Sequence, residues 1–165
     1  MSSKTSQVKP AILPWALIGA ACLGSFAATS SGTTRAPFLL QMARDLAVDA
    51  QGFLWIGTQD GLNRFDGESF RVFKHVRGDE ASLGENYIGA IAPDAAGHLW
   101  IATRTRGLDE FDPRTERFRH FARDSAPTRP LEQLDDVLVD AGGSVWLSGA
   151  DGVQERFDPR AEKFL

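Results

Sequence analysis

The sequence predicts an all-β chain built from nearly three copies of one four-stranded unit. Three observations carry this. Trp55, Trp100 and Trp146 lie 45 and 46 residues apart, and Phe65, Phe111 and Phe157 lie 46 and 46 apart. Each Trp has an Asp six residues before it (Asp49, Asp94, Asp140) and a Gly three before it (Gly52, Gly97, Gly143). The segment Phe111-Asp-Pro-Arg-Thr-Glu-Arg-Phe118 returns as Phe157-Asp-Pro-Arg-Ala-Glu-Lys-Phe164, identical at six of its eight positions. Self-similarity at a fixed period of 20–50 residues is the signature of a repeat architecture.

The N-terminus stands apart from the repeats. Lys4 and Lys9 precede an uncharged run, Ala11 to Ala28, and no acid occurs before Asp45. A basic start, an apolar stretch and small residues around Ser25-Phe26-Ala27 describe a secretory signal, with cleavage after Ala27. The alternative is an uncleaved anchor, since the 18-residue run is near the minimum for a bilayer span. Cys22 lies in this segment, and Gly19-Ala20-Ala21-Cys22 lacks the Leu usual in a lipoprotein signal. Residues 28–165 then hold 16 bases against 22 acids, net −6, and no cysteine. That part needs no disulfide and offers no thiol chemistry. Its Lys and Arg residues are scattered rather than gathered in a stripe, which gives nucleic-acid binding no support.

Turn residues cut each copy into short strands. The first copy reads as strands over 43–49, 53–58, 62–66 and 69–75, joined by turns at Ala50-Gln51-Gly52, Gln59-Asp60-Gly61 and Asp66-Gly67. The second reads as 88–94, 98–103, 107–112 and 117–122. The third reads as 134–140, 144–149, 153–158 and a last strand that stops at Leu165. Leu54-Trp55-Ile56, Leu99-Trp100-Ile101 and Val145-Trp146-Leu147 are apolar on both faces, whereas a strand with one wet face alternates. Burial on both faces fits a sheet sandwiched between two neighbours. Four-stranded units of this length, each covered by the next, are β-propeller blades. The expected divisions are 1–27 for the signal peptide or anchor, 28–42 for a linker, 43–86 and 87–132 for two blades, and 133–165 for a truncated third.

These residues resemble the two-component regulator propeller repeats. The matching stretches are Asp49-Ala-Gln-Gly-Phe-Leu-Trp-Ile-Gly-Thr-Gln-Asp-Gly-Leu-Asn-Arg-Phe-Asp-Gly67, Ser82-Leu-Gly-Glu-Asn-Tyr-Ile88, and Asp94-Ala-Ala-Gly-His-Leu-Trp-Ile-Ala-Thr103 followed by Gly107-Leu-Asp-Glu-Phe-Asp-Pro113. The third copy departs from the pattern, with Ser148-Gly149 in place of Gly-Thr. The resemblance implies the periplasmic sensor region of a hybrid histidine kinase or diguanylate cyclase. It implies as partners an extracellular ligand, with carbohydrate as the class it points towards, further propeller blades and a downstream transmitter. Contact with a membrane is expected only through the N-terminal segment. Propellers typically close with four to eight blades, so the expectation is an N-terminal piece of a longer receptor or a truncated reading frame.

The repeated Asp49, Asp94 and Asp140 end a strand and suit a turn cap; a calcium loop needs several oxygen ligands within about twelve residues, and D-x-x-G supplies one. Asp66, Asp112 and Asp158 read the same way. The three repeated Trp residues are expected to pack between blades. His75, His98 and His120 share no place in the repeat and have no carboxylate or Cys at metal-ligand spacing. No catalytic triad, phosphate loop, kinase motif or cyclase motif is present. No catalytic, cofactor-binding or metal-binding residues are therefore assigned, and no cofactor is expected. Arg104, Thr105 and Arg106 form a one-residue insertion relative to the first copy. That loop breaks the repeat, so Arg104 and Arg106 are the candidate ligand contacts. The rival functions are a sensory module, a periplasmic propeller lyase or hydrolase, and a non-functional truncation product.

Overall fold

The computed structural model describes residues 42–121, 134–149 and 152–165. They form three four-stranded antiparallel sheets, each a simple meander in which sequence neighbours pair. The first holds β1 (Ala43–Val48), β2 (Leu54–Thr58), β3 (Gly61–Phe65) and β4 (Phe70–Phe73). The second holds β5 (Ile88–Pro93), β6 (Leu99–Thr103), β7 (Gly107–Asp112) and β8 (Arg117–Phe121). The third holds β9 (Leu134–Val139), β10 (Val145–Gly149), β11 (Gln154–Asp158) and β12 (Lys163–Phe164). The strands fall within a residue or two of the expected spans, and the array is that of propeller blades. The expected signal segment and linker, up to residue 41, lie outside the described residues.

The D-x-x-G-x-x-W spacing folds as one unit in every blade. Asp49 Oδ1 accepts the amides of Gln51 and Phe53, each at 3.0 Å, while its Oδ2 accepts the Trp55 indole N–H at 2.7 Å. Asp94 does the same for Ala96, His98 and Trp100. Asp140 does so for Gly142, Ser144 and Trp146. The aspartate thus caps the turn, as expected, and also fixes the tryptophan, which the spacing had not disclosed. The turn closes through Gly52, Gly97 and Gly143 at φ of +88°, +91° and +84°, a region that Gly enters without steric cost. The indole bond, followed by the Ser144 amide, pulls the Asp140 carboxyl below its ordinary range. In the β3–β4 turn the amides of Ser69 and then Glu68 bring Asp66 down to about 2.

The sheets stack in one direction. β5 lies against β1 and β2, and β9 lies against β5 and β6. The Trp55 ring sits 5.4 Å from that of Phe111 in the next blade and 5.9 Å from Phe73 in its own. Trp100 repeats this with Phe157 at 5.7 Å and Phe121 at 5.8 Å. Each Trp is therefore buried by the blade that follows it. Trp55 and Trp100 are 0% and 2% exposed, but Trp146 is 38% exposed, because no described residue lies beyond it. Trp55 and Trp100 thus pack between blades as expected, while Trp146 of the last described blade has the Arg156 guanidinium 5.9 Å from its ring. The close approach of neighbouring first strands also has a residue requirement. A Cβ on Gly89, at the bulge of β5, would lie 2.2 Å from the Leu134 carbonyl oxygen of the next blade.

Trp100→Ala is expected to cost about 3–5 kcal/mol through lost burial and the cavity left behind. Trp146→Ala is expected to cost less than half as much, since a partly exposed side chain has less burial to lose. Chemical denaturation of the two variants checks this; equal losses would show that the following blade is not what buries the ring.

A candidate ligand-binding cleft between two blades

In a four-stranded meander the β2–β3 and β4–β5 connections leave from one end and the β1–β2 and β3–β4 turns from the other. Of the second kind, the β1–β2 turn repeats closely from blade to blade, whereas the β3–β4 turn has four residues between Phe65 and Phe70 and six between Phe111 and Phe118. The blades differ at the first end as well. There β2 and β3 are joined by two residues, Gln59 and Asp60, while β6 and β7 are joined by three, Arg104, Thr105 and Arg106. The connection from β4 to β5, residues 74–87, crosses from the first blade to the second at the same end.

That connector docks on the second blade through a polar network. Asp109 on β7 is 1% exposed, and both of its oxygens are used. Its Oδ2 accepts the Gly84 amide at 2.8 Å, and its Oδ1 meets His120 Nδ1 at 2.8 Å. His120 Nε2 in turn lies 2.9 Å from the Glu80 carbonyl oxygen. A carboxylate and a carbonyl both accept, so it is the protonated ring, with both nitrogens donating, that satisfies both partners. Its pKa is raised, first by the hydrogen bond to Asp109, against the opposing effects of burial and of the nearby Arg106 charge. Gly84 has to be small. A Cβ there would stand 2.9 Å from both Asp109 oxygens and 3.1 Å from His120 Nδ1. The Phe118 amide donates to the Ala81 carbonyl at 3.0 Å, which ties the connector to the edge of β8.

Between the connector and β8 lies a cleft of about 820 Å³. Asp79 and Glu80 stand on the connector wall, and Arg106, Arg117, Arg119 and His120 on the blade wall. Arg119 is engaged elsewhere, by Glu110 at 2.9 Å and by Glu162 of the third blade. Among the described residues Arg106 and Arg117 make no ion pair, and none joins the two walls.

Of the two candidates from sequence, Arg106 lines this cleft. Arg104 does not; its guanidinium lies 4.6 Å from the ring centre of Tyr87, while Thr105 N donates to Glu85 at 2.7 Å. Sequence reasoning passed over Asp109 and His120. A signal existed. Pairing Phe111 with Phe118 across the β7–β8 hairpin sets Asp109 directly opposite His120. His98 likewise meets carboxylates, Glu110 at 3.1 Å and Asp94 at 3.6 Å.

The imidazolium clamp sets a pH dependence. His120 has a folded pKa above 6.5, so its contribution is complete below pH about 6.5 and is lost as pH rises through the folded value. Hydrogen exchange at the Gly84 amide, corrected for the intrinsic rate, is expected to accelerate across that window, and His120→Gln is expected to abolish the pH dependence. A Gly84 protection factor that is flat with pH in the unsubstituted chain would refute the charged clamp.

Comparison with known proteins matches this architecture. Residues 38–60 and 82–105 match the family model described as two component regulator propeller. A 39-residue stretch is 44% identical to Histidine kinase P4 of Formosa agariphila, covering 24% of this chain and 3% of that protein. The extracellular domain of the hybrid two component system BT3049 from B. thetaiotaomicron superposes with a TM-score of 0.65 at 24% identity, over 75% of this chain and 18% of that one. That of BT4673 superposes at 0.57 and 24% identity, over 72% and 16%. Virginiamycin B lyase from Staphylococcus aureus shares the fold at a TM-score of 0.58 and 10% identity, over 75% of this chain and 40% of the lyase. The chain thus spans less than a fifth of the two-component extracellular domains it resembles. The two stretches that match the family model each begin at or shortly before the first strand of a blade and take in its first hairpin, and the chain carries two-component regulator propeller repeats.

Proposed function

We propose that this chain is the sensory propeller segment of an exported two-component-type receptor, and that it contacts its ligand at the connector end of the blades. The observation that carries the reading is the match of two successive blades to the two-component regulator propeller model. Arg104 and Arg106 are the ligand contacts on this reading, Arg106 from the cleft wall and Arg104 from its stack on Tyr87. In the intact receptor further blades, a membrane helix and a kinase or diguanylate cyclase transmitter complete the path from ligand to signal. The lyase-like alternative draws on fold alone, and His120 speaks against it. A general base needs a free nitrogen within reach of the proton it removes, and both nitrogens of His120 are occupied.

Two outcomes test the reading. Residues 1–40 fused to a reporter that is active only in the periplasm are expected to give activity; retention in the cytoplasm would refute export. Arg106→Ala is expected to leave stability within about 0.5 kcal/mol, the usual range for a surface site. A larger loss on thermal unfolding would move Arg106 from ligand contact to scaffold.

A further inference from the structure

The first strand of each blade carries a one-residue bulge, at Arg44, Gly89 and Asp135, and the residue after it differs from blade to blade. In the first blade this is Asp45, whose two oxygens are divided. Oδ1 accepts its neighbour's amide, Leu46 N, at 2.8 Å, and Oδ2 crosses to the second blade, where it accepts the Ile91 amide at 2.8 Å. Ala90 holds the equivalent place in the second blade and has no side-chain acceptor to offer the third. The Val137 amide there turns to its own Asp136, whose Oδ1 accepts it at 2.9 Å. Each of these three amides thus has one carboxylate oxygen: Ile91 takes it from the blade before, Leu46 and Val137 from their own. The two interfaces differ at the bulge as well. Gly89 lets the first strands of the second and third blades close up, whereas the aspartate-bridged interface accepts Arg44, whose guanidinium lies 5.3 Å from the ring centre of Tyr87.

On the third blade the arrangement of the first returns. Asp135 and Asp136 stand where Arg44 and Asp45 stand, and Asp136 Oδ2 has no hydrogen-bond partner among the described residues. Leu138 and Trp146 beside it are exposed. Ser148 and Gln154 replace Ala102 and Leu108, which face the third blade from the second. We propose that this open face docks one kind of partner: a propeller blade whose first strand offers Asp136 a free bulge amide, as Ile91 offers Asp45, and which brings hydrogen-bonding groups to Ser148 and Gln154. The first blade of a second copy is rejected. Its Leu46 amide already serves Asp45, so Asp136 would meet a carboxylate where it needs a donor, and the two like charges repel. The outer strands fail to match too. Leu165 follows Phe164 where Arg71 follows Phe70 and Arg119 follows Phe118, so the third blade brings no guanidinium to Glu68, which precedes Phe70 as Glu116 precedes Phe118. Asp45 and Asp136 together keep the two open faces of the described array from joining, while Asp136 holds its own face ready for a matched neighbour.

The test is sedimentation equilibrium of the full chain at constant ionic strength and at pH about 7, where carboxylates are ionised. Two variants make the open faces match in different ways. Asp45→Ala frees the Leu46 amide for Asp136 of another copy. Asp135→Gly/Asp136→Ala gives the third blade the residues that the second presents to a self-capped strand, and it leaves the Asp45–Ile91 bond in place. Each is expected to associate head to tail at least about tenfold more tightly than the unsubstituted chain, the scale of one charge-assisted contact. Asp136→Ala added to Asp45→Ala is expected to return association to the unsubstituted level, because the bridge is lost while Asp135 still bars close approach. Amide spectra of the dilute variants, unchanged over β6 to β8, establish folding. Should Asp45→Ala not fold, Asp135→Gly/Asp136→Ala decides alone, since it leaves the first interface untouched. The proposal is overturned if Asp135→Gly/Asp136→Ala or a folded Asp45→Ala associates no more tightly than the unsubstituted chain, or if Asp136→Ala leaves the association of Asp45→Ala unchanged. It is likewise overturned if the unsubstituted chain associates and Asp136→Ala weakens that association, which would make a second copy the occupant.

Discussion

The hydrogen bond from an indole N–H to the aspartate six residues before it is the constraint from which the blades follow. It consumes one carboxylate oxygen while the other caps the β1–β2 type of turn, so one side chain sets both the hairpin and the ring. A tryptophan held in this way projects toward the following sheet, where it meets a phenylalanine of the third strand. The packing of one blade on the next is therefore specified by a local contact within each blade. Burying Trp55 and Trp100 without a partner for the indole nitrogen would cost what any unpaired buried donor costs, about 1–3 kcal/mol. The aspartate removes that cost and adds a charge-assisted bond.

A second set of contacts joins the blades at their outer strands. Arg71 on β4 pairs with Glu116 of the second blade, and Arg119 on β8 pairs with Glu162 of the third. Arg71 and Arg119 hold equivalent registers, opposite Arg64 and Glu110 on the strands beside them. Glu116 and Glu162 are the two non-glycine residues with positive φ among those described, at 57° and 52°. The turn that carries each glutamate is thus bent to present it to the preceding blade. These pairs are exposed and contribute little to stability, of the order of 0–1 kcal/mol each. Their recurrence in equivalent places sets the lateral register of neighbouring blades, a task that the apolar Trp–Phe contacts, lacking direction, perform less well.

The two ends of the array carry different kinds of connection. The β1–β2 type of turn, capped by the same aspartate in every blade, leaves little room for an individual ligand. At the connector end, the three-residue tip and the crossing chain 74–87 depart from the repeat, and there the buried Asp109 and the His120 imidazolium anchor a wall of the cleft. The position of Asp109 is polar in all three blades, with Asn63 and Glu155 opposite Ile56 and Leu147 as Asp109 is opposite Ile101. The second blade uses this place to fasten the connector. The glycine that passes over it, Gly84, is the residue that makes the crossing sterically possible.

The sequence by itself determined the strand positions, the turn aspartates and the apolar second strands, because these depend on near neighbours in the chain, and it determined the period, because that local pattern returns every 45 or 46 residues. It also pointed to the irregular loop at Arg104–Arg106, since an insertion is visible against a repeat. The pairing of Asp109 with His120 was implicit in the hairpin register and was missed for want of aligning the two strands. Tertiary structure alone decided which blade covers each tryptophan, and so why Trp146 is exposed while Trp55 and Trp100 are not. It alone brought Gly84 and Glu80 onto the Asp109–His120 pair, across 25 and 40 residues of chain. It alone sent Arg106 into the cleft and Arg104 onto Tyr87. Such contacts join segments whose spacing follows no local rule, and their geometry exists only once the sheets have stacked.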